Sequence, residues 1–280
     1  MKKENSLLFV FMIILFTSCR SPYYFQVFNT APTGDMKVSD ELLIYEDLNC
    51  MVSYDLWGQG GNIGFQFYNK TDENIYLKLD ESFFVLNGIS FNYFQDRTFT
   101  TSKTTGVTSS SVGGASESVT GFNFMNLVQT NKISAARSVR VKTSTDYSVS
   151  YKEEKIVCIP SKTSKQISEY VINESPLRDC DLFRYPKKWQ IRTKKFSREQ
   201  SPLVFSNRIT YTVGRKNDLI KFENEFYVKE VSNYPEKEMY ESKYEEFCGQ
   251  KVPTKQKYFK NAEAKKFYIK YAKRKDFWKH

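Results

Sequence analysis

The cysteines carry the most reactive chemistry in this chain, and they stand at positions 19, 50, 158, 180 and 248. Cys19 follows two lysines (Lys2, Lys3), an apolar run from Leu7 to Phe16, and the small residues Thr17 and Ser18. A charged start, a short apolar segment and a small-residue cleavage site read as an export signal. The apolar run is too short to cross a hydrocarbon core of ~30 Å as a helix. An exported chain meets an oxidising compartment, so Cys50, Cys158, Cys180 and Cys248 are candidates for two disulfides. Spacing does not choose a connectivity, and four free thiols is the competing reading. Cys158, inside Ile156–Ile159, suits a buried thiol in a strand as well as a bridge. The chain has no CxxC pair, so thioredoxin-like and zinc-knuckle chemistry has no support.

Other reactive residues exclude more than they propose. The single histidine is His280. That removes most Ser-His-Asp and Cys-His constellations and the histidine-rich zinc sites. Neither GxGxxG nor GxxxxGK[ST] occurs, nor does a DxDxDG calcium loop. Adjacent carboxylates stand at Asp80/Glu81, Glu153/Glu154 and Glu245/Glu246. Neighbours on a strand point to opposite faces, so none of these pairs is a glycosidase pair as it stands. No metal and no cofactor is expected, and the reading is of a chain that is not an enzyme. The alternative is a hydrolase of glycans or cell-wall polymers built on distant carboxylates that converge.

Thr17-Ser18-Cys19 at the end of the apolar run resembles the lipobox of bacterial lipoproteins, with Phe16 where leucine is usual. The phrases Phe67–Tyr76 and Ile156–Pro160 are similar to uncharacterised lipoproteins of the Bacteroidota (Bacteroides type). The resemblance implies cleavage before Cys19 and acylation of its thiol, with the membrane as partner. Several acyl chains at about 0.8 kcal/mol per buried methylene would hold the body firmly. No Asp follows Cys19 and no acidic cluster follows it either. The expected address is the cell envelope, lipid-anchored in the outer membrane, with the periplasmic side favoured over the cell surface.

Charge is distributed unevenly. Residues 182–280 hold 25 Lys and Arg against 12 Asp and Glu, whereas 1–181 hold 17 against 20. Within 251–280 the balance is 11 against 2. Such a segment is drawn to polyanions. Lys265, Lys266, Lys273, Arg274, Lys275 and Trp278 are the candidate contacts to an anionic lipid or glycan surface, since a tryptophan among lysines suits a membrane interface. A solvated basic face is the plainer reading. Nucleic acid is not expected for an exported chain, and no feature names a protein partner.

Short alternating segments punctuated by turns set the expected fold. Cys50–Trp57, Ile63–Tyr68, Ile75–Leu79 and Ser82–Tyr93, with a tight Asn87-Gly88 turn, read as strands at the spacing of a β-sandwich. Tyr147–Tyr151, Lys155–Ile159 and Phe222–Val231 add more, as does Ser138–Lys142. Val204–Val213 reads as a weak edge strand. Lys265–Lys273 reads as a strand in preference to a basic helix. Pro235–Gly249 is expected to be one short helix, with Met239, Tyr240, Tyr244 and Phe247 as its stripe. Trp57 and Trp189 are expected in the core. The expected architecture is mostly β: an antiparallel, Ig-like sandwich with a short helix. The expected segments are a signal peptide (1–18), a tether (19–41), the sandwich (42–250) with a flexible Ser/Thr/Gly loop (98–121), and a basic C-terminal extension (251–280). The leading functional expectation is a non-catalytic binding or structural module.

Overall fold

The computed structural model describes residues 23–104, 146–214, 218–274 and 279, with side chains left aside for 100–104 and 146–149. The expected lipid acceptor Cys19, the strand 138–142, and Lys275 and Trp278 lie outside the described residues. Two compact units form, one from the segments that end at Gln95 and resume at Glu154, the other from Asp96–Glu153.

The larger unit is a mostly antiparallel β-sandwich. Its larger sheet has nine strands and runs in the order β11 (Ile156–Ile159), β6 (Ile75–Lys78), β14 (Val204–Val213), β15 (Ile220–Pro235), β1 (Tyr23–Pro32), β18 (Lys266–Ala272). Branching off this path, β13 (Thr193–Lys195) pairs with β15, and β7 (Phe83–Leu86) pairs with β14 and β8 (Ile89–Asn92). The smaller sheet has five strands: β12 (Ser164–Ile167), β5 (Phe65–Asn69), β4 (Cys50–Tyr54), β3 (Leu43–Glu46) and β2 (Lys37–Val38). One face of each sheet feeds a shared core. Tyr54 meets Phe226 with ring centroids 5.3 Å apart, Phe67 meets Tyr211 at 5.5 Å, and Tyr45 stacks on Phe222 at 4.6 Å. Period-2 burial in β5 and β6 is what the alternating sequence dictates. Asn87 and Gly88 turn the β7–β8 hairpin at φ 48° and 82°, the left-handed pair that such a two-residue turn needs.

Several segments differ from expectation. The tether 19–41 contains β1, which lies between β15 and β18, with Phe25, Gln26 and Phe28 buried. Its few periodic apolar positions come from an aromatic strand whose polar members, Gln26 and Thr30, are buried and hydrogen-bonded. The extension 251–280 is likewise part of the fold, because β18 completes the sheet beside β1. β14 is interior, not an edge. Its polar residues hid this, yet each has a partner: Asn207 accepts from Tyr93 Oη at 2.6 Å and donates to the Ile63 carbonyl at 3.0 Å, and Thr210 Oγ1 donates to the Glu81 carbonyl. The helix at 235–249 stops after one turn, α1 (Glu236–Met239). From Tyr240 the chain becomes β16 (Tyr240–Phe247), paired only with β17 (Gln250–Phe259) as a two-stranded ribbon. Cys248 (φ 51°) and Gly249 (φ 76°) form its turn, so the glycine closes a hairpin and not a helix. Trp189 is 77% exposed instead of core, and Trp57 is half-buried against Phe259 and Tyr268.

The smaller unit holds the hairpin β9 (Thr98–Thr104) and β10 (Asp146–Lys152), so the loop expected at 98–121 begins as a strand. Phe99 stacks on Tyr151 at 5.3 Å, and Arg97 pairs with Glu153 at its base.

Candidate functional site

Strand β1 sets up a cleft at one end of the larger sheet. Across the sheet, Gln26 stands beside Asn233 of β15 and Ile269 of β18, and Tyr24 stands beside Pro235 and Tyr271. Alternation places Tyr24, Gln26 and Phe28 on one face. Phe28 stacks on Phe267 at 4.6 Å and belongs to the core. Toward Tyr24 the same face leaves the core and opens into a cavity of about 480 Å³.

The segment 174–184 forms the opposite wall, and buried amides fasten it. Gln26 Nε2 donates to the Leu177 carbonyl at 2.9 Å, and the Leu177 N–H donates back to Gln26 Oε1 at 2.6 Å. Gln26 Nε2 also meets Asn233 Oδ1 at 2.9 Å, and Asn233 Nδ2 donates to the Phe183 carbonyl at 3.0 Å. Lys194 of β13 holds the outer side, 2.7 Å from Asp179 and 2.9 Å from Asp181. Burial raises the Asp179 pKa, but the Lys194 hydrogen bond and the Asp181 N–H outweigh it and hold the carboxyl below its ordinary value. Asp179 is therefore an ionised anchor.

Three arginines line the cavity: Arg178, Arg184 and Arg274. Glu174 and Asp179 are its carboxylates. Lys270 contributes backbone, because its side chain shares the other face with Phe25 and places Nζ 4.2 Å from the Tyr23 ring centroid. Aromatic rings gather at this end. Tyr24 stacks on Tyr271 at 6.0 Å and tilts against Tyr185 at 5.2 Å, while Arg184 lies 5.4 Å and Lys273 5.9 Å from the Tyr185 ring. Burial, more than the charge of Tyr185, pushes the Tyr271 phenol up, so it stays a neutral donor to the Arg184 carbonyl. The Arg184 guanidinium beside the Tyr185 ring is suited to holding an oxyanion.

The structure divides the expected anionic contacts. Arg274 lines the cleft, with Lys273 alongside. Lys265 and Lys266 are at the other end of β18, both paired with Glu263. Eight residues of extended chain separate Lys266 from Arg274, about 26 Å. The four described cysteines are free: Cys50 is buried, and Cys158, Cys180 and Cys248 are exposed. The carboxylate neighbours diverge, with Asp80 toward Lys155 and Glu81 toward Lys78 and Lys221. Among the described residues no three metal-ligating side chains cluster, and no helix is long and apolar enough to cross a membrane. Gln26, Arg178, Arg184, Tyr185 and Tyr271 escaped sequence reading. The one signal was the proline-bracketed, loop-rich stretch between Pro176 and Pro186, which carries both arginines.

No family model matches the chain, and neither does any of the known proteins or solved structures with which it was compared.

Proposed function

We propose that this chain is a non-catalytic binding module of the cell envelope, anchored through acylated Cys19, and that the cleft beside β1 receives an anionic ligand. The observation that carries the binding reading is the meeting of Arg178, Arg184 and Arg274 on one cavity whose wall is fastened by Gln26, Asn233 and Lys194. A wall tied on both sides is preorganised, which lowers the ordering cost of binding. The Asp179 carboxylate is taken up by its ion pair with Lys194, which serves the wall. The outer-membrane address and the periplasmic orientation belong to the same reading.

Two measurements test it. Labelled palmitate should enter the wild-type chain and not Cys19→Ala. Calorimetric titration with inorganic phosphate and with a sulfated glycan should show saturable heat, weakened about tenfold or more in Arg178→Gln/Arg274→Gln. Equal binding by that variant would remove the cleft from the function.

A further inference from the structure

We infer that the anion held in the cleft is the phosphodiester headgroup of an anionic lipid in the leaflet that carries the Cys19 acyl chains. The inference rests on the lipid-anchored reading and names the ligand of its cleft.

Reach gives the first argument. β1 begins at Tyr23, four positions after Cys19. Four residues extend at most about 14 Å. An anchor at Cys19 therefore keeps the start of β1 within that distance of the membrane surface. The cleft is at this same end, because Tyr24 pairs with Tyr271 and Arg274 follows just after β18. The far end of β1, at Pro32, is about 30 Å further along the strand. The short link thus holds the end lined by Arg178, Arg184 and Arg274, and not the end of Lys265 and Lys266, at the headgroup layer.

Charge and ring chemistry give the second. Arg178, Arg184 and Arg274 line the cavity, and Lys273 stands beside Tyr185. Of the two lining carboxylates, Asp179 is paired with Lys194, and Glu174 is the other. The surface potential of anionic lipid falls off over about 8–10 Å, a distance comparable with the reach of the link. Guanidinium takes phosphate oxygens in a bidentate fork. Tyr24, Tyr185 and Tyr271 supply rings with a polar edge, the side chains favoured at a membrane–water boundary.

The test uses the acylated protein purified from membranes and reconstituted into nanodiscs of phosphatidylethanolamine, with or without phosphatidylglycerol. Backbone hydrogen exchange across 174–184 should slow about tenfold with phosphatidylglycerol and not with phosphatidylethanolamine alone. Arg178→Gln/Arg274→Gln should lose the slowing. If that pair disturbs folding, Arg274→Gln alone, past the end of β18, should lose part of it. Slowing by phosphatidylglycerol and, more weakly, by inorganic phosphate supports the headgroup. Slowing by inorganic phosphate but not by phosphatidylglycerol discs overturns the headgroup and leaves the anion-binding cleft standing. No slowing by either overturns both. Mass spectrometry showing an unacylated Cys19 would overturn the anchored reading itself.

Discussion

Gln26 and Leu177 are 151 positions apart, yet the side-chain amide of one pairs with the backbone amide of the other as two strands would. A side chain here does the work of a ladder partner, fastening an irregular segment to a strand with no register to extend. This contact decides whether the cleft has a wall.

Gln26→Leu should therefore act on both stability and the cleft. The change fits the sheet but leaves a Leu177 N–H and carbonyl and the Asn233 Oδ1 short of partners. Leaving buried polar groups unpaired costs about 2–3 kcal/mol. Urea unfolding should show that loss, and hydrogen exchange should quicken at Leu177 before it does in β14 or β15. Unchanged exchange at Leu177 would mean that Asn233 and Lys194 hold the wall without Gln26.

Gly61→Ala should be strongly destabilising. Gly61 has φ +79°, and a Cβ there would come within 2.7 Å of Ile172 Cδ1 and 2.8 Å of Phe267 Cγ. Backbone strain and overpacking then add, for a loss of about 2–4 kcal/mol. A midpoint in thermal melting equal to that of wild type would contradict the close approach of this turn to β18.

The buried tyrosines predict alkaline behaviour. Burial raises the phenol pKa of Tyr54, Tyr93 and Tyr211, and neighbouring ionisable groups add to it. Tyr54 Oη accepts from Asn224 Nδ2 at 2.9 Å in the core. For a phenol raised in the folded state, the stabilising difference is intact below the unfolded value of about 10 and is lost as pH climbs beyond it. Stability should stay flat with respect to these groups up to about pH 10 and then fall, and ultraviolet titration should show their phenolates appearing only with unfolding. Reversible ionisation of every tyrosine in the folded protein would refute this.

Thiol chemistry separates the free cysteines by place. Cys158, Cys180 and Cys248 are exposed, whereas Cys50 is buried, with burial first and the Asp47 charge second raising its thiol pKa. A maleimide followed by peptide mass spectrometry should label Cys158, Cys180 and Cys248 in the folded protein and Cys50 only in denaturant. Protection of any exposed pair, relieved by reductant, would mean a bridge.

Local pattern made much of this fold legible. Period-2 alternation gave β5 and β6, and Asn87-Gly88 gave a hairpin, because those signals depend only on near neighbours. β14 was readable as a strand but not as an interior one, since Asn207 and Thr210 look solvent-facing until Tyr93, Ile63 and Glu81 are seen to satisfy them. β1 was missed for the same reason, with Gln26 and Thr30 buried among aromatics. β16 reads as a helix from sequence because Met239, Tyr240, Tyr244 and Phe247 fall at helical spacing, although the last three lie on a largely exposed hairpin strand. Arg274 was found from its basic surroundings. Arg178 and Arg184 were not, because no local pattern tells which loop will be folded back onto which strand.

The position of β1 also dictates an order of events. Its hydrogen-bonding partners come late: Thr30 Oγ1 donates to the Lys265 carbonyl, 235 positions on, and Phe28 must await Phe267. Contacts this distant in sequence close slowly. During synthesis β1 must stay unsatisfied until nearly all the rest has emerged, its aromatic edge open to the wrong neighbour. Shielding of Tyr23–Pro32 in that interval should therefore raise the yield of folded chain, and the yield should respond to chaperone supply before it responds to any change in the finished core.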